Sequence, residues 1–122
     1  MIAGTGIDIV ENLRIQSLLE KYSDSFLKKM MTEEEIASMG SPITIQHLAG
    51  VFAAKEAVVK ALGTAGVDLV PLSDISIIYS ENGAPVVLLA GKTLEKAGIF
   101  YIHISISHET HYSVAVAIAE LR

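Results

Sequence analysis

Two carboxylates stand where the surrounding residues ask for carbon. Asp8 sits inside the apolar run Gly6-Ile7-Asp8-Ile9-Val10, and Glu56 lies in the stretch Phe52-Ala53-Ala54-Lys55-Glu56-Ala57. On a helix turning about 100° per residue, Ile45, Leu48, Ala49, Phe52 and Val59 share one face and Glu56 falls among them. Lys60 follows one turn later, near the edge of that face. A buried carboxylate is costly unless it is paired, hydrogen-bonded or bound to a metal. Two readings are open: a Glu56–Lys60 ion pair along the helix, or a functional site. Two hard oxygen donors without a thiolate or a clear imidazole partner suit Mg²⁺ better than zinc. Mg²⁺ takes one or two protein carboxylates and completes its octahedron with waters and substrate phosphates. Lys60 would then place a cation beside those phosphates. The chemistry expected is Mg²⁺-dependent work on a phosphate or diphosphate.

Other chemistries find less support. His103, His108 and His111 are close in sequence, but no H-E-x-x-H pattern accompanies them. His103 falls on the polar face of its strand and reads as structural, whereas His108 falls at a strand end, where ligand contacts are common. No Gly-x-Ser-x-Gly elbow occurs, Gly4-Thr5-Gly6 lacks the third glycine of a dinucleotide fingerprint, and no complete Walker-type loop is present. The absence of cysteine excludes disulfides, thiolate metal sites and a cysteine nucleophile.

Composition narrows the partners. The net charge of −5 argues against nucleic acid. No run approaches the roughly 18 apolar residues of a membrane span, and no basic leader precedes an apolar segment, so a cytoplasmic location is expected. Hydrophobic residues make up 51% of the chain, a surplus that suggests burial in an oligomer. Arg14, Lys21 and Lys28 recur at a spacing that would align them on a continuous helix, with Lys29 beside the last. They form either a solvated face or a basic patch for an acidic partner.

The elements that must position these residues follow from pattern. Ile2 to Val10 reads as a strand in which Gly4 and Gly6 let something approach the backbone closely. A helix continues to about Tyr22, is interrupted at Ser23-Asp24, and resumes through Phe26 to Met30. Thr32-Glu33-Glu34-Glu35 is a capping box that starts a short helix ending near Gly40. Ser41-Pro42 breaks the chain before a long helix, Thr44 to Leu62, terminated by Gly63. Asp74 to Ser80 and Pro85 to Ala90 form a hairpin around Asn82-Gly83. Gly91 to Ala97 is helical, Tyr101 to Ser107 alternates as a strand, and a last strand runs from Tyr112 to Glu120. The order β-α-α-α-β-β-α-β-β defines a single α+β domain, with a mainly antiparallel sheet and helices packed on one side.

The combination of Gly4-x-Gly6-Ile7-Asp8-Ile9-Val10, Phe52-Ala53-Ala54-Lys55-Glu56-Ala57 with Lys60-Ala61-Leu62-Gly63-Thr64, and Ser105-Ile106-Ser107-His108 resembles bacterial holo-acyl-carrier-protein synthase, of the 4′-phosphopantetheinyl transferase family. Thr32 to Glu35 and Asn82-Gly83-x-Pro85 stand in the expected order, so the likeness spans essentially the whole chain. The resemblance implies transfer of 4′-phosphopantetheine from coenzyme A to a serine of apo acyl carrier protein, in fatty acid biosynthesis, releasing adenosine 3′,5′-bisphosphate. It also implies a homotrimer with active sites between subunits. Asp8 and Glu56 match the family's Mg²⁺ ligands and Lys60 its phosphate-contacting lysine. Gly63, Asn82, Gly83, Pro85 and His108 match positions around coenzyme A, and Arg14, Lys21 and Lys28 positions that dock the carrier. The serine proton would pass to Glu56 or to water at the metal.

Departures from the family pattern concern charge. Val51 stands where an arginine usually precedes the Phe-Ala-Ala-Lys-Glu-Ala run, Ala84 where the turn usually carries a basic residue, and 41–46 lacks the usual arginines. Weaker recognition of the coenzyme A 3′-phosphate is expected. Two rivals remain at this level: a Mg²⁺-dependent enzyme for another nucleoside diphosphate, and a non-catalytic trimeric module that binds acidic helices.

Overall fold

A computed structural model describes residues 1–40 and 42–122. Its elements, β1 (Ile2–Glu11), α1 (Asn12–Met30), α2 (Glu33–Ser38), α3 (Ile45–Thr64), β2 (Ile75–Tyr79), β3 (Pro85–Leu89), α4 (Gly91–Ala97), β4 (Phe100–His108) and β5 (Tyr112–Leu121), follow the order read from the sequence. A single 3₁₀ turn at Leu72–Asp74 leads into β2. The proposed break at Ser41-Pro42 falls partly on Ser41, which lies outside the described residues.

Among the described residues the strands form two antiparallel sheets rather than one. β5 is central in the order β1-β5-β4, and β2 pairs with β3 alone. Leu89, Leu94 and Phe100 line a cleft beside β3 and β4.

The core is the contact between α3 and the inner face of the larger sheet. That contact is built from small residues, which brings the two backbones unusually close. Ala115, Ala117 and Ala119 of β5 are buried beneath the helix. A Cβ at Gly4 would sit 2.1 Å from the Ala61 carbonyl oxygen, and one at Gly6 2.1 Å from that of Ala57. Both glycines are therefore required, and α3 itself is what approaches them. Around the helix, Leu48, Val51, Ala54, Val58 and Leu62 are also fully buried, because α1, β2 and the sheet all pack against it.

Among the described residues, none gives the opposite face of the sheet such cover. Ile7 and Ile9 are 64% and 65% exposed. They pair in register with Val116 and Val114 of β5, giving an apolar surface on the outer side.

Helix ends obey local chemistry. Thr32 and Glu35 close the expected capping box. α1 kinks at Ser23 (φ 49°, ψ −122°), where the sequence interrupts the helix, so Lys28 lies beyond the kink and leaves the phase that Arg14 and Lys21 share. α3 runs past Gly63. Gly66, at φ +96°, is the left-handed terminator, with Val67 N–H bonded to Leu62 O and Gly66 N–H to Gly63 O. The buried Leu62 and Val67 complete this Schellman motif.

Candidate active site

Because β1 alternates, Gly4, Gly6, Asp8 and Val10 all face α3. The glycines bring the helix against the strand, and the next inward side chain, Asp8, then reaches the residues one turn apart on α3. Lys60 Nζ donates to Asp8 Oδ1 at 3.1 Å and to the Ile7 carbonyl at 2.9 Å. Thr64 Oγ1 donates to Lys60 O at 2.8 Å, which ties down the end of this turn.

Glu56 is half-buried at the rim of the core, and Lys60 is exposed. The ion pair between them that the helical spacing offered is not among the described salt bridges, since Lys60 turns to Asp8. The pair that is deeply buried on this helix joins Lys55 to Glu35. A cavity of about 160 Å³ between β1, α1 and α3 is lined by Asp8, Arg14, Leu18, Phe52 and Glu56. Burial raises the Glu56 pKa, the Asp8 carboxylate raises it further, and Lys60 partly offsets both. Two carboxylates thus face one cavity. Among the described residues, no group of three or more His, Asp or Glu side chains is placed to hold a metal.

The other residues implied by the resemblance are placed elsewhere. Gly63 lies on α3 just beyond Lys60. Asn82 and Gly83 are exposed at the tip of the β2–β3 hairpin, and Pro85 opens β3. Asn82 Oδ1 accepts from Ala84 N at 3.1 Å and from the Ser80 hydroxyl, while Gly83 takes φ +85°, so this pair builds the turn. None of Asn82, Gly83, Pro85 or His108 lines the Asp8–Glu56 cavity. His108 ends β4 close to His47, whose ring packs edge-on against Tyr79 at 5.1 Å between centroids. Burial, and then the charge of His108, hold the His47 pKa below its ordinary value. His103 bonds Glu120 at 2.9 Å on the outer sheet face, in line with a structural role.

Sequence reading missed Asn12. This residue is buried, donates to Glu109 O at 3.0 Å and Thr110 O at 3.2 Å, and accepts from Ser113 Oγ at 2.8 Å. It ties the β1–α1 junction to the turn after His108, and only its place at the end of the strand could have signalled this. Of the positions where charge was expected, Val51 is fully buried and Ala84 is exposed in the turn. The Gly91-Lys92-Thr93 triplet has Val86 where a phosphate loop has its first glycine. Its Thr93 hydroxyl donates to Asp74 at 2.7 Å, which makes it part of the α4 fold rather than a phosphate cradle.

The fold and this site define a member of the 4′-phosphopantetheinyl transferase superfamily, whose family model matches residues 4–117. Within it, the chain belongs to the holo-[acyl-carrier-protein] synthases. It is 44% identical to the holo-[acyl-carrier-protein] synthase of Clostridium tetani over 98% of this chain and 97% of that protein. The enzyme of Hydrogenovibrio crunogenus is 42% identical, with coverage of 100% and 99%. Among solved structures, the Helicobacter pylori holo-[acyl-carrier-protein] synthase in complex with coenzyme A aligns with TM-score 0.83 at 31% identity, covering 95% of this chain and 99% of that one. The Bacillus anthracis enzyme in complex with CoA (3′,5′-ADP) aligns with TM-score 0.79 at 32% identity, covering 100% and 99%.

Proposed function

We propose that this chain transfers 4′-phosphopantetheine from coenzyme A to a serine of apo acyl carrier protein, with Mg²⁺ held by Asp8 and Glu56. The observation that carries the reading is the convergence of Asp8, Glu56 and Lys60 where α3 lies against β1. The relatives' substrates, coenzyme A and the acyl carrier protein, supply the chemistry to which such a site is suited.

Bound Mg²⁺ would neutralise diphosphate charge and make the phosphorus more electrophilic. The chain's own residues do the rest. The carrier serine Oγ forms a bond to the phosphorus bearing pantetheine, and the bond from that phosphorus to the bridging oxygen of adenosine 3′,5′-bisphosphate breaks. The serine proton passes to Glu56 or to a water beside it. Lys60 lies within bonding distance of Asp8 and exposes its ammonium to solvent, so it can turn to the departing phosphate and offset its charge.

The active unit in this proposal is a homotrimer with sites between subunits. A cavity of about 160 Å³ is far below the roughly 300–1,000 Å³ of ordinary small-ligand pockets, so one chain supplies one wall for coenzyme A. The uncovered Ile7, Ile9, Val114 and Val116 face supports association. A neighbour's hairpin, with Asn82, Gly83 and Pro85, and its His108 would supply the other wall. Arg14 at the cavity and Lys21 on the same stretch of α1 offer cations to an acidic carrier helix, with Leu13 and Tyr22 exposed next to them in sequence. No helix among the described residues is long and apolar enough to cross a membrane. The holo-carrier product would serve fatty acid biosynthesis in the cytoplasm.

The test follows release of adenosine 3′,5′-bisphosphate from coenzyme A with apo carrier present. Release that needs the carrier and stops with EDTA is expected. Release without carrier would indicate a hydrolase instead.

A further inference from the structure

The most deeply buried charges in the molecule lie beside the site without lining it. Lys55, immediately before Glu56, is fully buried in the middle of α3, and its Nζ lies 2.6 Å from Glu35 Oε1, also fully buried. That oxygen also accepts from Thr32 N at 2.8 Å, closing the capping box of α2, and Glu35 Oε2 accepts from Ile77 N of β2 at 2.8 Å. One carboxylate thus joins three elements: α2, α3 and the hairpin that carries Asn82.

The surroundings of α3 give this joint its purpose. The helix is buried on nearly every side, and much of its surface is alanine: Ala49, Ala53, Ala54, Ala57 and Ala61. Such a helix has a weak apolar stripe, and alanine packing alone discriminates poorly between neighbouring rotations about its axis. Replacing a buried ion pair by apolar groups is often neutral or stabilising, so stability alone does not account for it, whereas setting register is its best-attested use. The side chain of Lys55 leaves the helix about 100° from that of Glu56, so holding one sets where the other points.

We infer that the Glu35–Lys55 pair is a positioning device that fixes the rotation of α3 and thereby turns the Glu56 carboxylate toward Asp8. Neither residue lines the Asp8–Glu56 cavity, so both act through Glu56. The inference deepens the proposed function and rests on the reading of Asp8 and Glu56 as a cation site. An incorrectly turned helix would separate the two carboxylates while leaving the core filled.

The experiment replaces the pair by neutral residues of similar size, Glu35→Gln with Lys55→Met. The amide introduced in place of the Glu35 carboxylate keeps an acceptor for the capping box or for Ile77. Mn²⁺ affinity by electron paramagnetic resonance, the melting temperature, and kcat and KM are measured on the double variant and the parent. The expected result is a melting temperature close to the parent's, with Mn²⁺ affinity and kcat each lower by about 10-fold or more, the range seen when residues that orient metal ligands are lost. Parent-like Mn²⁺ affinity and kcat in a folded variant would overturn the inference. If the variant does not fold, Glu35→Gln with Lys55→Gln, whose amides can still bond, replaces it. Failure of both to fold would also overturn the inference, since the pair would then be needed for the fold itself. A parent that transfers phosphopantetheine but binds no Mn²⁺ would refute the metal reading separately. The kcat of the double variant would then decide the positioning role: a loss of about 10-fold supports it and none rejects it.

Discussion

Lys60 Nζ reaches back across the α3–β1 contact to Asp8 Oδ1 at 3.1 Å and also takes the Ile7 carbonyl at 2.9 Å. In the proposed mechanism this ammonium is shared between holding the strand and serving a phosphate. Lys60→Met should therefore lower kcat/KM by one charge-assisted contact, about 1.5–3 kcal/mol, or roughly 10- to 150-fold. The pair is partly exposed, so its loss should change the urea midpoint little. Steady-state kinetics beside a urea titration checks both statements.

Glu56 couples the site to pH. Its pKa is raised in the folded chain by burial and by Asp8, so the folded state holds its proton more tightly than the unfolded state does. Without divalent cation, stability contributed by this group is present below the unfolded pKa and is lost as pH rises through the folded one. Glu56→Gln should flatten that part of the stability–pH curve and raise the metal-free melting temperature at neutral pH, while abolishing Mg²⁺-dependent transfer. Melting curves across the acid range with EDTA provide the check.

Gly6 is a steric requirement. A Cβ there would meet Ala57 O at 2.1 Å and Ala61 N at 2.7 Å, both backbone atoms of α3. Gly6→Ala should cost at least ~1–3 kcal/mol, the range for overpacking, and should reduce activity by displacing Asp8 from α3. Denaturant unfolding and a transfer assay below the transition should show both.

The outer face of the larger sheet gives a test of assembly. Ile9→Lys places a charge at the centre of the exposed apolar surface formed with Val114. The parent should have trimer mass by light scattering and the variant monomer mass. If sites lie between subunits, the monomer should lose coenzyme A affinity although Asp8 and Glu56 are untouched.

The fold was legible in the sequence wherever one residue type had one local meaning. Gly4 and Gly6 announced a close approach, Thr32 to Glu35 announced a helix start, and Ser23 marked a real kink. Gly63 misled because glycine is tolerated inside a helix as well as after it. Only Gly66 takes the left-handed conformation that ends α3. Asp8, Glu56 and Lys60 stood out as oddities in apolar runs. Their pairing did not, since helical spacing offers Lys60 a local partner in Glu56 while the strand supplies a nearer one in Asp8. Lys55 gave no signal because its partner Glu35 is distant in sequence and already had an evident task in the capping box. The split into two sheets was not legible, because strand patterns do not encode which strands pair.

Intact mass of an apo acyl carrier protein after incubation with this protein, coenzyme A and Mg²⁺ reads the transfer itself. A Mg²⁺-dependent transferase of this kind should add one phosphopantetheine to the carrier, with no gain in EDTA or with Asp8→Ala or Glu56→Gln. An unmodified carrier with the parent protein, or full modification by Asp8→Ala, would contradict the proposed function.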